Sequence, residues 1–244
     1  MAESLVSLQQ SFNRALRVEG KSDRTITLYG QSIVYFARWA EERGVPADVE
    51  ALTRENVLDW LDSLRARGQS DGTVITRWRG LRRFSSWMLD EGVLTSDPFA
   101  GVTVKKPEAP SVPVFDDEDL RRLIAACKGK EFNDRRDEAF IRLLIDCGLR
   151  ASELTGIGVD DLDLDGESVV VTGKGSRVRV AYFGAKTSLA LDRYLRARAG
   201  HRHARSPSLF LGERGPFTTD GVRERLKVRA RLAGIEDRVN PHRF

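Results

Sequence analysis

Apolar positions across residues 3–97 recur every three or four places, the spacing that lines one face of a helix. The pattern predicts a first helix over residues 3–18, ended by Gly20. A second helix over 23–43 carries Ile26, Tyr29, Ile33, Phe36 and Ala40 on one stripe and stops at Gly44. A third, from Thr53 to about Arg67, uses Val57, Trp60, Leu61 and Leu64. The fourth, from about Asp71 to Leu89, sets Ile75, Trp78, Leu81, Phe84, Trp87 and Met88 on a broad apolar face. Thr76, Arg79 and Arg83 fall on its opposite side.

The pattern then breaks. Between Pro98 and Pro113 stand Pro107, Pro110 and the pair Lys105-Lys106, with few large apolar side chains, which predicts a semi-extended linker. A new helix signal follows: Asp116 as N-cap, acids after it, and Phe115 placed to pack on Leu120. Ala139, Phe140, Leu143, Leu144 and Cys147 form another helical stripe, stopped by Gly148, so Arg150 lies just past a helix end, ahead of a short helix. From Leu162 to Tyr182 the period drops to two. Leu162-Asp163-Leu164, Ser168–Thr172 and Val178–Tyr182, joined by turns at Asp165-Gly166 and Gly173-Lys174-Gly175-Ser176, predict an antiparallel β-meander. Helices over about 187–199 and 218–233 follow, with Ser208 to Leu211 a short strand or buried connector. His201 and His203 lack the neighbours a metal needs and read as a solvated loop. The fold class is mainly α with a small antiparallel β-meander: a helical domain over 1–97, a basic linker over 98–114, and a second domain over 115–244.

Charge changes this picture only locally. Of 244 residues, 40 are Lys or Arg and 36 are Asp or Glu, a formal charge of +4. Arg77, Arg79, Arg82 and Arg83, however, crowd into residues 77–83 with no acid between them. They are either a solvated helix face or, as cations without partners, a surface for an anion such as the DNA backbone. Arg150 has the same two readings, paired with Glu153 for structure or presenting its planar fork to a phosphate. Cys127 and Cys147 fall on apolar stripes and read as buried thiols in a reducing compartment, with no metal site and no cofactor. No signal-type N-terminus and no long apolar run is present, which predicts a soluble cytoplasmic protein.

Four motifs in order resemble the tyrosine recombinases, the family that includes Xer recombinases and phage integrases. Cys147-Gly-Leu-Arg150-Ala-Ser-Glu153-Leu154 is similar to the family's first arginine motif, and Gly173-Lys174-Gly175-Ser176 with Arg177 and Arg179 to its β-hairpin lysine. Asn240-Pro241-His242-Arg243-Phe244 resembles the start of its His-x-x-Arg motif; Glu91-Gly92 and Asp97-Pro98 resemble the close of its core-binding domain. The resemblance covers essentially the whole chain. It implies a SAM-like core-binding domain, whose DNA contacts are expected at Thr76, Arg79, Arg83, Lys105 and Lys106, and a DNA breaking-rejoining catalytic domain. It implies metal-free phosphoryl transfer through a 3′-phosphotyrosyl bond, with Arg150 stabilising charge, Lys174 as acid and His242 as the motif histidine.

The departures carry expectations too. The second arginine of the motif would fall one place beyond Phe244, and none of Tyr29, Tyr35, Tyr182 and Tyr194 matches the nucleophile's segment. Relative to the family pattern the catalytic domain is C-terminally incomplete, and the chain is expected to bind DNA without cleaving it. The expected partners are double-stranded DNA with an inverted-repeat core site, further copies of the chain in a tetramer on paired sites when full length, an accessory DNA-bending protein, and no membrane. A noncatalytic DNA-binding repressor or competitor is the alternative; a related topoisomerase is a more distant one.

Overall fold

A computed structural model describes residues 3–106, 114–173, 175–235 and 239–244. The chain divides into two units, Met1–Pro110 and Ser111–Phe244.

In the first unit four helices bury their apolar stripes on one another: α1 Leu5–Val18, α2 Asp23–Glu41, α3 Arg54–Ala66 and α4 Asp71–Asp90. Each of the last three begins where a side-chain hydroxyl caps the first turn. Ser22, Thr53 and Ser70 accept from the backbone N–H of Thr25, Asn56 and Thr73. The core is strongly aromatic: Phe12 packs on Phe84 and Trp87, and Phe36 lies between Trp39 and Trp60. Close approach of α2 and α4 depends on Gly80. A Cβ there would lie 2.8 Å from Ser32 Cβ and 3.1 Å from Tyr29 Cα. Phe99 and Val102 are buried in this same core, so the chain beyond Pro98 still packs as part of the first unit.

The second unit is built on α6 (Phe132–Cys147), which packs against α5 (Asp117–Ala125), α8 (Ala185–Ala199), α9 (Thr219–Leu232) and the sheet. Asp116 caps α5 by accepting from Asp119 N–H at 2.7 Å, while Phe115 packs on Phe244 with ring centroids 4.9 Å apart. Gly148 ends α6 in the left-handed conformation, φ 58°. The sheet is β1 (Leu162–Asp163), β2 (Ser168–Thr172) and β3 (Val178–Tyr182), antiparallel in the order β1-β2-β3. Val169 pairs with Ala181, and Val169, Val171 and Ala181 point into the core. β1 is shorter than expected: Leu164 lies in the turn. A two-residue hairpin, β4 (Leu211–Gly212) with β5 (Gly215–Pro216), forms where a short strand or connector was expected.

Two buried polar groups fasten this unit. Asp137, fully buried on α6, accepts from Arg136, Arg225 and Arg229, and Arg229 also reaches Asp134 at 3.0 Å. Arg198 on α8 donates to the carbonyls of Ala204, Ser206, Ser208 and Leu209 at 2.6–3.0 Å. That loop is tightly held rather than solvated: His201 is half-buried and stacks on Phe132 at 4.5 Å.

Candidate functional site

Arg150 is the N-cap residue of α7 (Ala151–Gly156), on the short turn after Gly148. Because α7 follows after only two residues, Glu153 returns beneath Arg150. Its carboxylate accepts from the Arg150 backbone N–H at 3.0 Å and from its guanidinium Nη1 at 2.9 Å. Arg179 on β3 donates to the same carboxylate at 3.1 Å. The Glu153 side chain is 3% exposed and that of Arg150 is 66% exposed. One buried acid therefore anchors two arginines whose remaining donors face out. Burial alone would raise the Glu153 pKa, but the hydrogen bonds from Arg150 and the charge of Arg179 outweigh it and hold the group below the usual carboxylate range.

These residues line a cleft of about 800 Å³ together with Gly173, Gly175 and Arg177. The hairpin closes through Gly173 N–H donating to Arg177 O at 2.7 Å, with Gly175 and Ser176 at φ 74° and 57°. The side chain of Arg177 is exposed and makes no hydrogen bond or ion pair among the described residues. Three arginines thus line a cleft that holds a single carboxylate, an arrangement suited to an anion with several oxygens. Lys174 lies outside the described residues, between two glycines of this lining. His242 belongs by its backbone to the one-turn helix Pro241–Arg243. The structural reading of Arg150 holds, since Glu153 pairs with it, and the pairing leaves its side chain 66% exposed.

In the first unit the expectation of arginines without partners needs correcting. Arg83 is paired with Glu19, Arg82 lies over the Trp78 ring at 5.0 Å, and Arg77 lies over Tyr35 at 4.2 Å. No acid lies within residues 77–83, but Glu19 reaches Arg83 from the end of α1, 64 positions away. Arg79 is exposed and has no partner among the described residues. Thr76 turns its hydroxyl back to Gly72 O at 2.7 Å. Lys105 and Lys106 are exposed and unpaired among the described residues. Among those residues no group of three or more His, Cys, Asp or Glu is placed to hold a metal ion, and no helix is long and apolar enough to cross a membrane.

The chain shares its fold with solved integrases. A lambda integrase dimer bound to a COC′ core site shares the fold with a TM-score of 0.74 at 16% identity, over 99% of this chain and 68% of that one. The Tn1549 transposon integrase in complex with transposon right end DNA gives 0.71 at 19% identity, over 100% and 84%. The chain belongs to the phage integrase family, whose model matches residues 113–244, while the phage integrase N-terminal SAM-like domain matches residues 8–93. Its relatives include tyrosine recombinase XerD of Bifidobacterium longum, 29% identical over 99% of this chain and 82% of that protein. Tyrosine recombinase XerC of Chromohalobacter salexigens is 32% identical over 91% and 74%. The family is thus Xer-like, of the tyrosine recombinase class.

Proposed function

We propose that the chain binds duplex DNA through both units and that its second unit receives a phosphodiester in the cleft of Arg150. The observation that carries this reading is the buried Glu153 carboxylate, which fixes Arg150 while leaving it 66% exposed among other arginines. The guanidinium fork then binds nonbridging phosphate oxygens and stabilises the charge that develops on them during attack. Lys174 protonates the leaving 5′ oxygen and His242 assists at the phosphate. Gly173 and Gly175, its neighbours in the sequence, line the cleft, which supports that role. The first unit and the following basic segment contribute Arg79, Arg83, Lys105 and Lys106, with Thr76, along the DNA backbone.

In the complete reaction a tyrosine hydroxyl attacks phosphorus, forming the 3′-phosphotyrosyl bond and releasing a 5′ hydroxyl, which a second strand later uses to reverse the step. None of the four tyrosines in these 244 residues fits that task. Tyr194 is fully buried, its hydroxyl bonded to Leu209 O and Leu211 N, and burial pushes its pKa up to about 12. Tyr29 and Tyr35 belong to the first unit and Tyr182 to the exposed face of β3. The 244-residue polypeptide binds an inverted-repeat core site, as one of several copies, without cleaving it. Incubating it with nicked duplexes that trap covalent intermediates tests this: a retarded complex without a covalent adduct is expected, and an adduct contradicts the reading.

A further inference from the structure

The proposal rests on the DNA-binding reading above and concerns the outer surface where α2 meets α4. Two kinds of arginine occur on α4. Arg79 is exposed and unheld, as suits a phosphate contact that tolerates movement. Arg77 is held by two contacts. Its guanidinium carbon lies 4.2 Å from the Tyr35 ring centroid, and its Nη1 donates to Gln31 Oε1 at 3.3 Å. Half-burial draws its pKa below the ordinary arginine value, and no carboxylate among the described residues pairs with it. Its setting is therefore a ring and an amide.

The same face of α2 leaves Tyr35 and Val34 exposed, at 45% and 37%, although they are large and apolar. Gln31 precedes Tyr35 by one helical turn. This face continues into a groove of about 470 Å³ between α1 and α2, where Gln9, Asn13 and Thr27 add neutral hydrogen-bonding groups beside the charged Arg17, Asp23 and Arg38. Asn13 Oδ1 has no partner among the described residues. Amides, a hydroxyl and exposed apolar carbons gathered around a held guanidinium offer the mixture of hydrogen-bonding and apolar groups that base edges present, beyond the cations that a phosphate strip requires.

We infer that Arg77, clamped between Tyr35 and Gln31, reads a base edge in the major groove and is a specificity-determining residue of the DNA site. Stacking fixes the plane of the guanidinium and leaves its free donors directed along one edge. A planar pair of donors matches the O6 and N7 acceptors of guanine. Because the ring and amide hold the fork before DNA arrives, little side-chain freedom is lost on binding. Val34, exposed next to Tyr35 on α2, would supply apolar contact to a thymine methyl.

The test is binding of the 244-residue chain, without substitution and as Arg77→Ala, Arg77→Lys and Arg79→Ala, to a pool of duplexes randomised in sequence, followed by salt titration on one selected duplex. Arg77→Ala is expected to flatten the preference at a single base pair by about 10-fold or more, leaving the other positions unchanged. Arg77→Lys retains charge and folding but loses the planar fork, and is expected to lose the same preference. Arg79→Ala is expected to weaken all sequences alike and lower the salt slope by about 1. If both Arg77 variants keep the original preference at every position, Arg77 is only a clamp between helices and the inference is overturned. If the unsubstituted chain binds no duplex, the DNA-binding reading falls first and this inference with it.

Discussion

Glu153 grips Arg150 twice, at the backbone N–H and at the guanidinium, with 3.0 and 2.9 Å separations. The first bond caps the helix and the second aims the side chain, so the fold of α7 and the direction of Arg150 share one cause. Glu153→Gln keeps the shape but weakens both bonds and releases Arg179. The variant is expected to fold, to bind duplex DNA about 10-fold more weakly, and to lose about 1–3 kcal/mol of stability at pH 7. Denaturant titration and a mobility-shift isotherm measure the two effects.

The stability difference depends on pH with a definite sign. The Glu153 pKa is lowered in the folded state, so the folded protein binds this proton less tightly than the unfolded one. Its stabilisation is complete above the ordinary glutamate value of about 4.3 and is lost as pH falls through the depressed value. The gap between the unsubstituted chain and Glu153→Gln is expected to be constant from about pH 8 to pH 5 and to shrink below about pH 4. An unchanged gap at low pH would show that Glu153 acts through packing alone.

Arg198 closes the loop after α8 by donating to four carbonyls. Arg198→Met fills the volume and leaves those oxygens without their cation. A loss of about 3 kcal/mol or more is expected, read as a lower unfolding midpoint.

Gly80 sets the distance between α2 and α4. Gly80→Ala is expected to destabilise the first unit by about 1–3 kcal/mol. Ser32→Gly, by removing the opposing Cβ, is expected to recover part of that loss in the double variant.

Burial pushes Cys127 up to about 12 and Cys147 to about 11. Cys127 is expected to resist a thiol reagent at neutral pH until the chain unfolds. Cys147, half-buried with its Sγ donating to Tyr182 O, is expected to react slowly.

The sequence made the helices legible because their stripes and stops are local. Gly148 ends α6, Asp116 starts α5, and the alternation of Val169, Val171 and Ala181 gives the β-meander without any tertiary knowledge. What it left out depends on contacts far apart in the chain. The pairing of Arg83 with Glu19 spans 64 positions, and Asp137 with Arg225 and Arg229 spans 88 and 92. The spacing of Arg225 and Arg229, one helical turn apart, was a signal for a shared buried acid, but it could not say which acid. At the cleft, Arg150 and Glu153 were legible as neighbours. Arg179 was legible only as part of a hairpin, since its bond to Glu153 requires knowing which face of β3 turns toward α7.

The central claim is that Arg150 touches a DNA phosphate. The direct measurement is a coupling experiment: affinities of the unsubstituted chain and Arg150→Ala for a set of core-site duplexes, each with one phosphate replaced by a neutral methylphosphonate. Removing either the charge of Arg150 or that of its phosphate should weaken binding. At one position only, removing both should weaken it no further than either alone. Effects that simply add at every phosphate would contradict the account.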